Sequence, residues 1–255
     1  MPDTEYFFHA EQLTVGYNGA VVVKDVEASV RKGQILTLIG PNGSGKSTIL
    51  KSIAKQIKPI SGAVYIGGHS IGNVSHREFS RQTAIVLTAR PRPELMTCGD
   101  VVAVGRYPYT GMLGILPERD KEKVDEALRL VGASDLKDRG FAEISDGQLQ
   151  RVMLARAICQ EPEIIILDEP TSFLDIRYAV EILDILRSMA TERGVTVVMS
   201  LHELNYAKRV SDLVMGVKDG QMLFLDTPDR IFTEEMISRL YDLPDGAYRQ
   251  LFGGL

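Results

Sequence analysis

The octapeptide Gly40-Pro41-Asn42-Gly43-Ser44-Gly45-Lys46-Ser47 constrains this chain more than any other stretch. It fits G-x-x-x-x-G-K-[ST]. It follows an apolar run, "GQILTLIG", that reads as a buried strand, and precedes "KSTILKSIAKQ", whose apolar spacing is helical and stops before Pro59. Each glycine carries roughly 0.5–1 kcal/mol of extra ordering entropy. A chain keeps three of them together where backbone N–H groups must turn inward around a ligand. Phosphate is that ligand: the glycines cradle it, and the following helix offers its positive end. Lys46 is placed to reach the β- and γ-phosphates, and the Ser47 hydroxyl to ligate Mg²⁺. With Thr48 next in the helix, Gly40 to Thr48 form the candidate nucleotide-binding set.

The remaining pattern fits an α/β fold around this loop. Residues 5–30 alternate in short runs with Asn18-Gly19 between them, as antiparallel strands joined by a turn do. "SGAVYIGG" and "TAIVLT" read as further strands. From residue 90 the pattern changes to charged amphipathic helices and a Gly/Tyr/Pro loop. No strand pattern returns until Glu163–Leu167. A helix over roughly 176–193, the strand "VTVVMSLH", another helix and two short strands complete the order. This predicts a nucleotide-binding core with a mainly parallel sheet (1–89 and 161–255), an N-terminal antiparallel β subdomain, and a helical insert (90–160). The 255 residues would form one such domain.

Charge and cysteine content narrow the partners. The net charge of −5 gives no basic face for nucleic acid. Cys98 and Cys159 lie far apart without a CxxC pattern, as reduced thiols of a cytosolic protein do. The N-terminus has no signal-like segment. No apolar run reaches the roughly 18 residues of a membrane span. If the protein works at a membrane, another protein holds it there.

Two acids close the strand at 164–167: Asp168 and Glu169. Ligands of open α/β sheets bind outside the carboxyl ends of the strands. Asp168 is therefore placed to hold Mg²⁺ through its water shell, and Glu169 to accept a proton from an attacking water. The alternative is a helix cap or surface acid after a core strand. His202 ends the next apolar strand, where an imidazole could hold a γ-phosphate or the water. "ISDGQLQR", from Ile144 to Arg151, opens another helix with serine and glycine and makes a second anion-binding helix start. One chain then carries two phosphate sites for one triphosphate. The economical solution is a head-to-tail dimer, each subunit's second site closing on the other's nucleotide.

At this point the chain resembles a known family. "GPNGSGKST", "ISDGQLQR", "ILDEPTSFLD" and "SLHEL" stand in the order and spacing of the ATP-binding cassette (ABC) family, and the resemblance covers nearly the whole chain. It implies a P-loop NTPase core and hydrolysis of ATP with Mg²⁺, with Glu169 and His202 catalytic. It implies that Ser145, Gly147 and Gln148 touch the ATP of a homodimeric partner and that Asp175 crosses the dimer interface. Tyr17 matches the aromatic that stacks on adenine; its alternative reading is a tyrosine at a strand end. The family further implies integral membrane permease subunits on separate chains, an indirect link to a substrate-binding protein, and a peripheral position on the cytoplasmic face.

Two departures stand out. The family has glycine where Asp146 stands, and a carboxylate about 4 Å from a γ-phosphate is repelled by roughly 1–4 kcal/mol. Asp146 is therefore expected to point away, toward an arginine such as Arg151, or to cap the helix. The family also has a glutamine after "TAIVLT", where this chain has Thr88-Ala89-Arg90; Thr88 offers a hydroxyl and Ala89 nothing. "VGRYPYTG", Val104 to Gly111, resembles a segment of importers of iron–siderophore, haem and cobalamin-type ligands. It places Arg106, Tyr107 and Tyr109 on a stiff loop suited to a permease interface; the alternative is a rigid loop with exposed tyrosines. The main rival function is a soluble assembly ATPase, as in iron–sulfur cluster formation. A chromosome or repair ATPase is disfavoured because no sustained heptads separate Lys46 from Ser145.

Overall fold

The computed structural model describes residues 5–87, 93–110 and 115–252. In chain order the strands are β1 (Phe8–Tyr17), β2 (Ala20–Val30), β3 (Ile35–Ile39), β4 (Ser61–Ile66), β5 (His69–Ser70), β6 (Thr83–Val86), β7 (Ile164–Asp168), β8 (Thr196–Ser200), β9 (Leu213–Lys218) and β10 (Gln221–Asp226). The helices are α1 (Lys46–Ile53), α2 (His76–Gln82), α3 (Cys98–Ala103), α4 (Glu118–Leu130), α5 (Asp146–Cys159), α6 (Ile176–Arg193), α7 (Leu204–Val210), α8 (Pro228–Ile231), α9 (Glu234–Tyr241) and α10 (Ala247–Phe252).

The strands form one sheet in the order β5-β4-β1-β2-β10-β9-β3-β8-β7-β6. Its centre, from β9 to β6, is parallel. The edge from β5 to β2 is antiparallel. Asn18 and Gly19 both take positive φ in the β1–β2 turn, the conformation that hairpin twist favours. β3, β7 and β8 are buried at every position, as strands covered on both faces must be. Their side chains alternate between two cores. Ile35, Ile165, Leu167, Val197 and Met199 face the cluster that includes α5 and α6. Leu36, Leu38, Ile164, Ile166 and Val198 face α1 and the antiparallel strands. Helix α6 supplies Ile182, Leu183, Leu186, Met189 and Ala190 on one stripe. Full burial of each large apolar side chain contributes roughly 1.5–3 kcal/mol.

Between β6 and β7 the described residues are helices and turns, apart from one isolated bridge between Thr97 and Gly140. Three local features differ from expectation. Helix α1 stops at Ile53, because Lys55 turns left-handed (φ 59°). Strand β5 and helix α2 were not expected. Helix α2 carries a legible start, since Ser75 and Glu78 form a reciprocal capping box.

Arg106 corrects the interface reading of "VGRYPYTG". It is 1% exposed. Its guanidinium donates to Asp120 Oδ1 (3.0 Å), Cys159 O (2.7 Å) and Glu161 Oε2 (2.9 Å). It also lies 4.3 Å from the Tyr109 ring centroid. A buried charge persists only when paired and hydrogen-bonded, and this one is a core cross-link. Gly105 allows the approach: a Cβ there would lie 2.5 Å from Arg156 O. Tyr109 is tied in through its hydroxyl, within bonding distance of Gln160 O (2.9 Å) and Arg81 O (3.1 Å). Tyr107 is the most exposed of the three, at 55%. Gly111 lies outside the described residues.

Candidate functional site

The loop after β3 shows why it needs glycine. Gly40 (φ 146°), Gly43 (φ 77°) and Gly45 (φ 105°) all take positive φ. A Cβ at Gly40 would stand 2.0 Å from Val217 O, and one at Gly45 2.1 Å from Val23 Cγ2. Gly43 has open space around it and needs only its conformation. Helix α1 then begins without a side-chain cap and without an acid in its first turn. That leaves its positive end available to an anion.

Lys46 is buried, and its Nζ donates to Gly40 O (2.8 Å) and Pro41 O (3.0 Å). Burial pulls its pKa down, while Glu169 and Asp168 oppose the shift. Ser44 Oγ is buried with no hydrogen-bond partner among the described residues. The base of the loop is braced from elsewhere: the Gly40 N–H donates to the Tyr241 hydroxyl at 3.0 Å. Burial pushes that phenol up to about 12, so it stays neutral. Tyr241 lies on α9 and carries no sequence signal for this role.

Sheet register gathers the other groups. Ser200 pairs with Asp168 across β8–β7 and with Leu38 across β8–β3. Asp168 is fully buried, and its Oδ1 accepts from Ser200 Oγ (2.7 Å) and Ser47 Oγ (3.1 Å). Ser200 Oγ also accepts the Glu169 N–H at 3.0 Å. Glu169 takes φ 54°, a left-handed conformation that costs about 1–3 kcal/mol in a non-glycine residue. The turn aims its carboxylate between two partners. Oε1 lies 2.6 Å from His202 Nε2, and Oε2 accepts from Ser172 Oγ at 3.0 Å. Lys46, Ser47, Asp168, Glu169 and His202 thus meet at the carboxyl ends of β3, β7 and β8. Ser172 and Ser200 are additional members that sequence reasoning missed. Only the register of β7 against β8 identifies Ser200.

A metal is tested by the donor set. Among the described residues, no three His, Cys, Asp or Glu side chains converge as a cage. Ser47 and Asp168 supply hard oxygen donors beside a phosphate-type loop. This fits Mg²⁺, which keeps waters and phosphate oxygens in its shell.

The second anion-type helix start lies elsewhere on the chain. Ser145 is the cap of α5: its Oγ accepts the Gln148 N–H (3.3 Å), and Gln148 Oε1 accepts the Ser145 N–H (3.0 Å). The cap is therefore Ser145, and Asp146 is the first residue inside the helix. Asp175 caps α6, accepting the Tyr178 N–H at 3.0 Å. Ser145, Gly147, Gln148 and Asp175 line one cavity of about 570 Å³ together with Phe173 and Tyr178. None of residues 40–48, Asp168, Glu169 or His202 lines it. The two sets of groups therefore do not share this cavity. Tyr17 ends β1, exposed and just before the hairpin turn. Thr88, Ala89 and Arg90, and with them the departure from glutamine, lie outside the described residues.

The family model described as ABC transporter matches residues 23–172. An uncharacterised ABC transporter ATP-binding protein of Methanocaldococcus jannaschii is 42% identical, over 95% of this chain and 84% of its own length. The achromobactin transport ATP-binding protein CbrD of Dickeya dadantii is 37% identical, over 92% and 87%. The iron(3+)-hydroxamate import ATP-binding protein FhuC of Bacillus subtilis is 36% identical, over 91% and 87%. Among solved structures, a transporter described as metal-chelate type, in an inward-facing conformation, superposes with a TM-score of 0.81. It is 26% identical, with 94% of this chain and 90% of that one covered. A dimeric ATP-binding cassette, bound to ADP and phosphate after hydrolysis, gives a TM-score of 0.79 at 26% identity, covering 87% and 98%. Among the described residues no helix is long and apolar enough to cross a membrane.

Proposed function

The chain belongs to the ABC transporter family of ATPases, and from that membership we propose that it is the ATP-hydrolysing subunit of an importer for iron–siderophore, haem or cobalamin-type ligands. One observation carries the import reading. Relatives named for achromobactin transport and iron(3+)-hydroxamate import align over nine-tenths of the chain. The transporter called metal-chelate type shares its fold at the same extent. In this reading two copies associate head to tail on the cytoplasmic face of a membrane, bound to permease subunits on separate chains and supplied by a substrate-binding protein. The dimeric relative with ADP and phosphate supports the pairing.

The geometry supports the following division of labour. The N–H groups of Gly43, Gly45, Lys46, Ser47 and Thr48, with the Lys46 ammonium, hold the phosphates. Ser47 and Asp168 would hold Mg²⁺, which would offset charge on the phosphate oxygens. Tyr17 lies against the adenine. Glu169 takes a proton from the attacking water, and His202, within 2.6 Å of its carboxylate, orients it beside the γ-phosphate. Ser145, Gly147 and Gln148 of one subunit reach the γ-phosphate on the other, and Asp175 contacts that other subunit. That the two sets do not share a cavity within one chain supports this division.

The test is Glu169→Gln. The substitution keeps shape and removes the base, so ATP still binds while turnover falls roughly 10²–10⁴-fold. The variant then accumulates as an ATP-bound dimer in size-exclusion chromatography. Near-normal turnover would exclude Glu169 as the base. A monomer that binds ATP would exclude the shared site.

A further inference from the structure

The Arg151 and Tyr178 side chains have no part in the function so far, yet they join the two helix starts that line the 570 Å³ cavity. We propose that Tyr178 is a positioning residue: its ring under the Arg151 guanidinium locks the start of α5 to the start of α6, so that Ser145 and Asp175 meet the opposite subunit as one unit. This rests on the head-to-tail reading above.

The contact is built from both sides. Arg151 lies one and a half to two turns into α5 from Ser145, is nine-tenths buried, and donates through Nη1 to Gly132 O at 2.6 Å. That bond fixes the guanidinium. Its centre lies 4.3 Å from the Tyr178 ring centroid. Arg151 Nε has no hydrogen-bond partner among the described residues, so the ring face compensates the buried charge on that side. Tyr178 is fixed in turn, because its N–H is the one that Asp175 caps. Arg177 adds a second cation, 5.8 Å from the ring centroid.

The start of α5 also lies close to the segment that leads into α6. A Cβ on Gly147 would meet Phe173 O at 3.3 Å and Leu174 Cδ2 at 3.5 Å. Ser145 and Asp175 come from segments separated in sequence by β7 and must arrive together at one facing subunit. A lock between their helices makes their spacing independent of motion elsewhere in the insert. Loss of the lock leaves the chain folded, because Gln150 Nε2 still donates to Pro170 O at 2.6 Å and Arg156 Nη2 to Ile85 O at 3.0 Å.

The experiment compares Tyr178→Leu, Tyr178→Phe and Ser145→Arg in steady-state ATPase assays on the full chain. Tyr178→Leu keeps apolar packing and removes the ring. The expected result is a kcat lower by roughly 3- to 30-fold. KM for ATP stays within about twofold, because the Lys46 loop is untouched. Tyr178→Phe, which keeps the ring, restores kcat. If Tyr178→Leu matches wild type while Ser145→Arg is inactive, the lock is refuted and the shared site stands. If Ser145→Arg is fully active, the shared site itself is refuted. If Tyr178→Phe is as impaired as Tyr178→Leu, or if the loss lies in KM, the ring–cation contact is not what positions the site. A thermal unfolding midpoint for Tyr178→Leu near wild type is part of the expected result, and a collapsed fold would also overturn the proposal.

Discussion

Ser200→Ala is the substitution whose consequence the structure fixes most closely. Ser200 Oγ donates to Asp168 Oδ1 at 2.7 Å and accepts the Glu169 N–H at 3.0 Å. Alanine fits the same space and removes both bonds. Asp168 is fully buried and keeps the Ser47 hydroxyl, so it loses one charge-assisted bond and not all its solvation. Such a bond contributes about 1.5–3 kcal/mol, and an orphaned buried N–H costs about 1–3 kcal/mol. The two losses share one atom and overlap, so the expected destabilisation is about 2–4 kcal/mol. In a chain of this size each kcal/mol moves the thermal midpoint by about 2–4 °C, which places the shift near 5–15 °C. Glu169 stays in its left-handed turn through the Ser172 and His202 contacts, but its backbone loses an anchor. Turnover should therefore fall roughly 10-fold, less than on losing the carboxylate itself. Urea unfolding and ATPase rates on the same preparations measure both quantities. A variant with wild-type stability and wild-type turnover would refute the claim that Ser200 ties Asp168 to Glu169.

Two further outcomes follow from buried groups. Arg106→Met removes the partner of buried Asp120 and should destabilise the protein by about 3–5 kcal/mol, measured by urea unfolding, while the exposed-loop reading predicts little change. Burial pushes the Cys159 thiol and the Tyr241 phenol each up to about 12, above their ordinary values of 9.0 and 10.0. Both folded pKa values are raised, so their stabilisation is complete below about pH 9 and is lost as pH climbs toward 12, at up to about 1.4 kcal/mol per pH unit for each group. Native protein at pH 8 should resist iodoacetamide at Cys159, react fully in denaturant, and show a lower urea midpoint at pH 10.5 than at pH 8.

The glycine loop, the acidic strand end and the helix start at Ser145 were legible because each depends on neighbours within a few residues. The buried strands were legible because apolar runs bounded by glycine report burial on both faces. Ser200 was not legible: its role exists only through the pairing of β8 with β7. Tyr241 braces Gly40 from the far end of the chain, and no local pattern announces such a contact. Arg106 misled because Gly, Pro and Tyr around an arginine look the same whether the arginine faces a partner or pairs with Asp120 inside. The Ser75–Glu78 capping box is a local signal for α2, set among other polar residues.

The import reading meets its most direct test in uptake. In cells deleted for this subunit, accumulation of labelled ferric siderophore, haem and corrinoid is measured with the wild-type chain restored, with Glu169→Gln restored, and with neither. Uptake of one of the three classes should be lost on deletion, return with the wild-type chain, and stay lost with Glu169→Gln. Undiminished uptake of all three classes in the deleted cells would contradict an importer, and would favour a soluble assembly ATPase built on the same site.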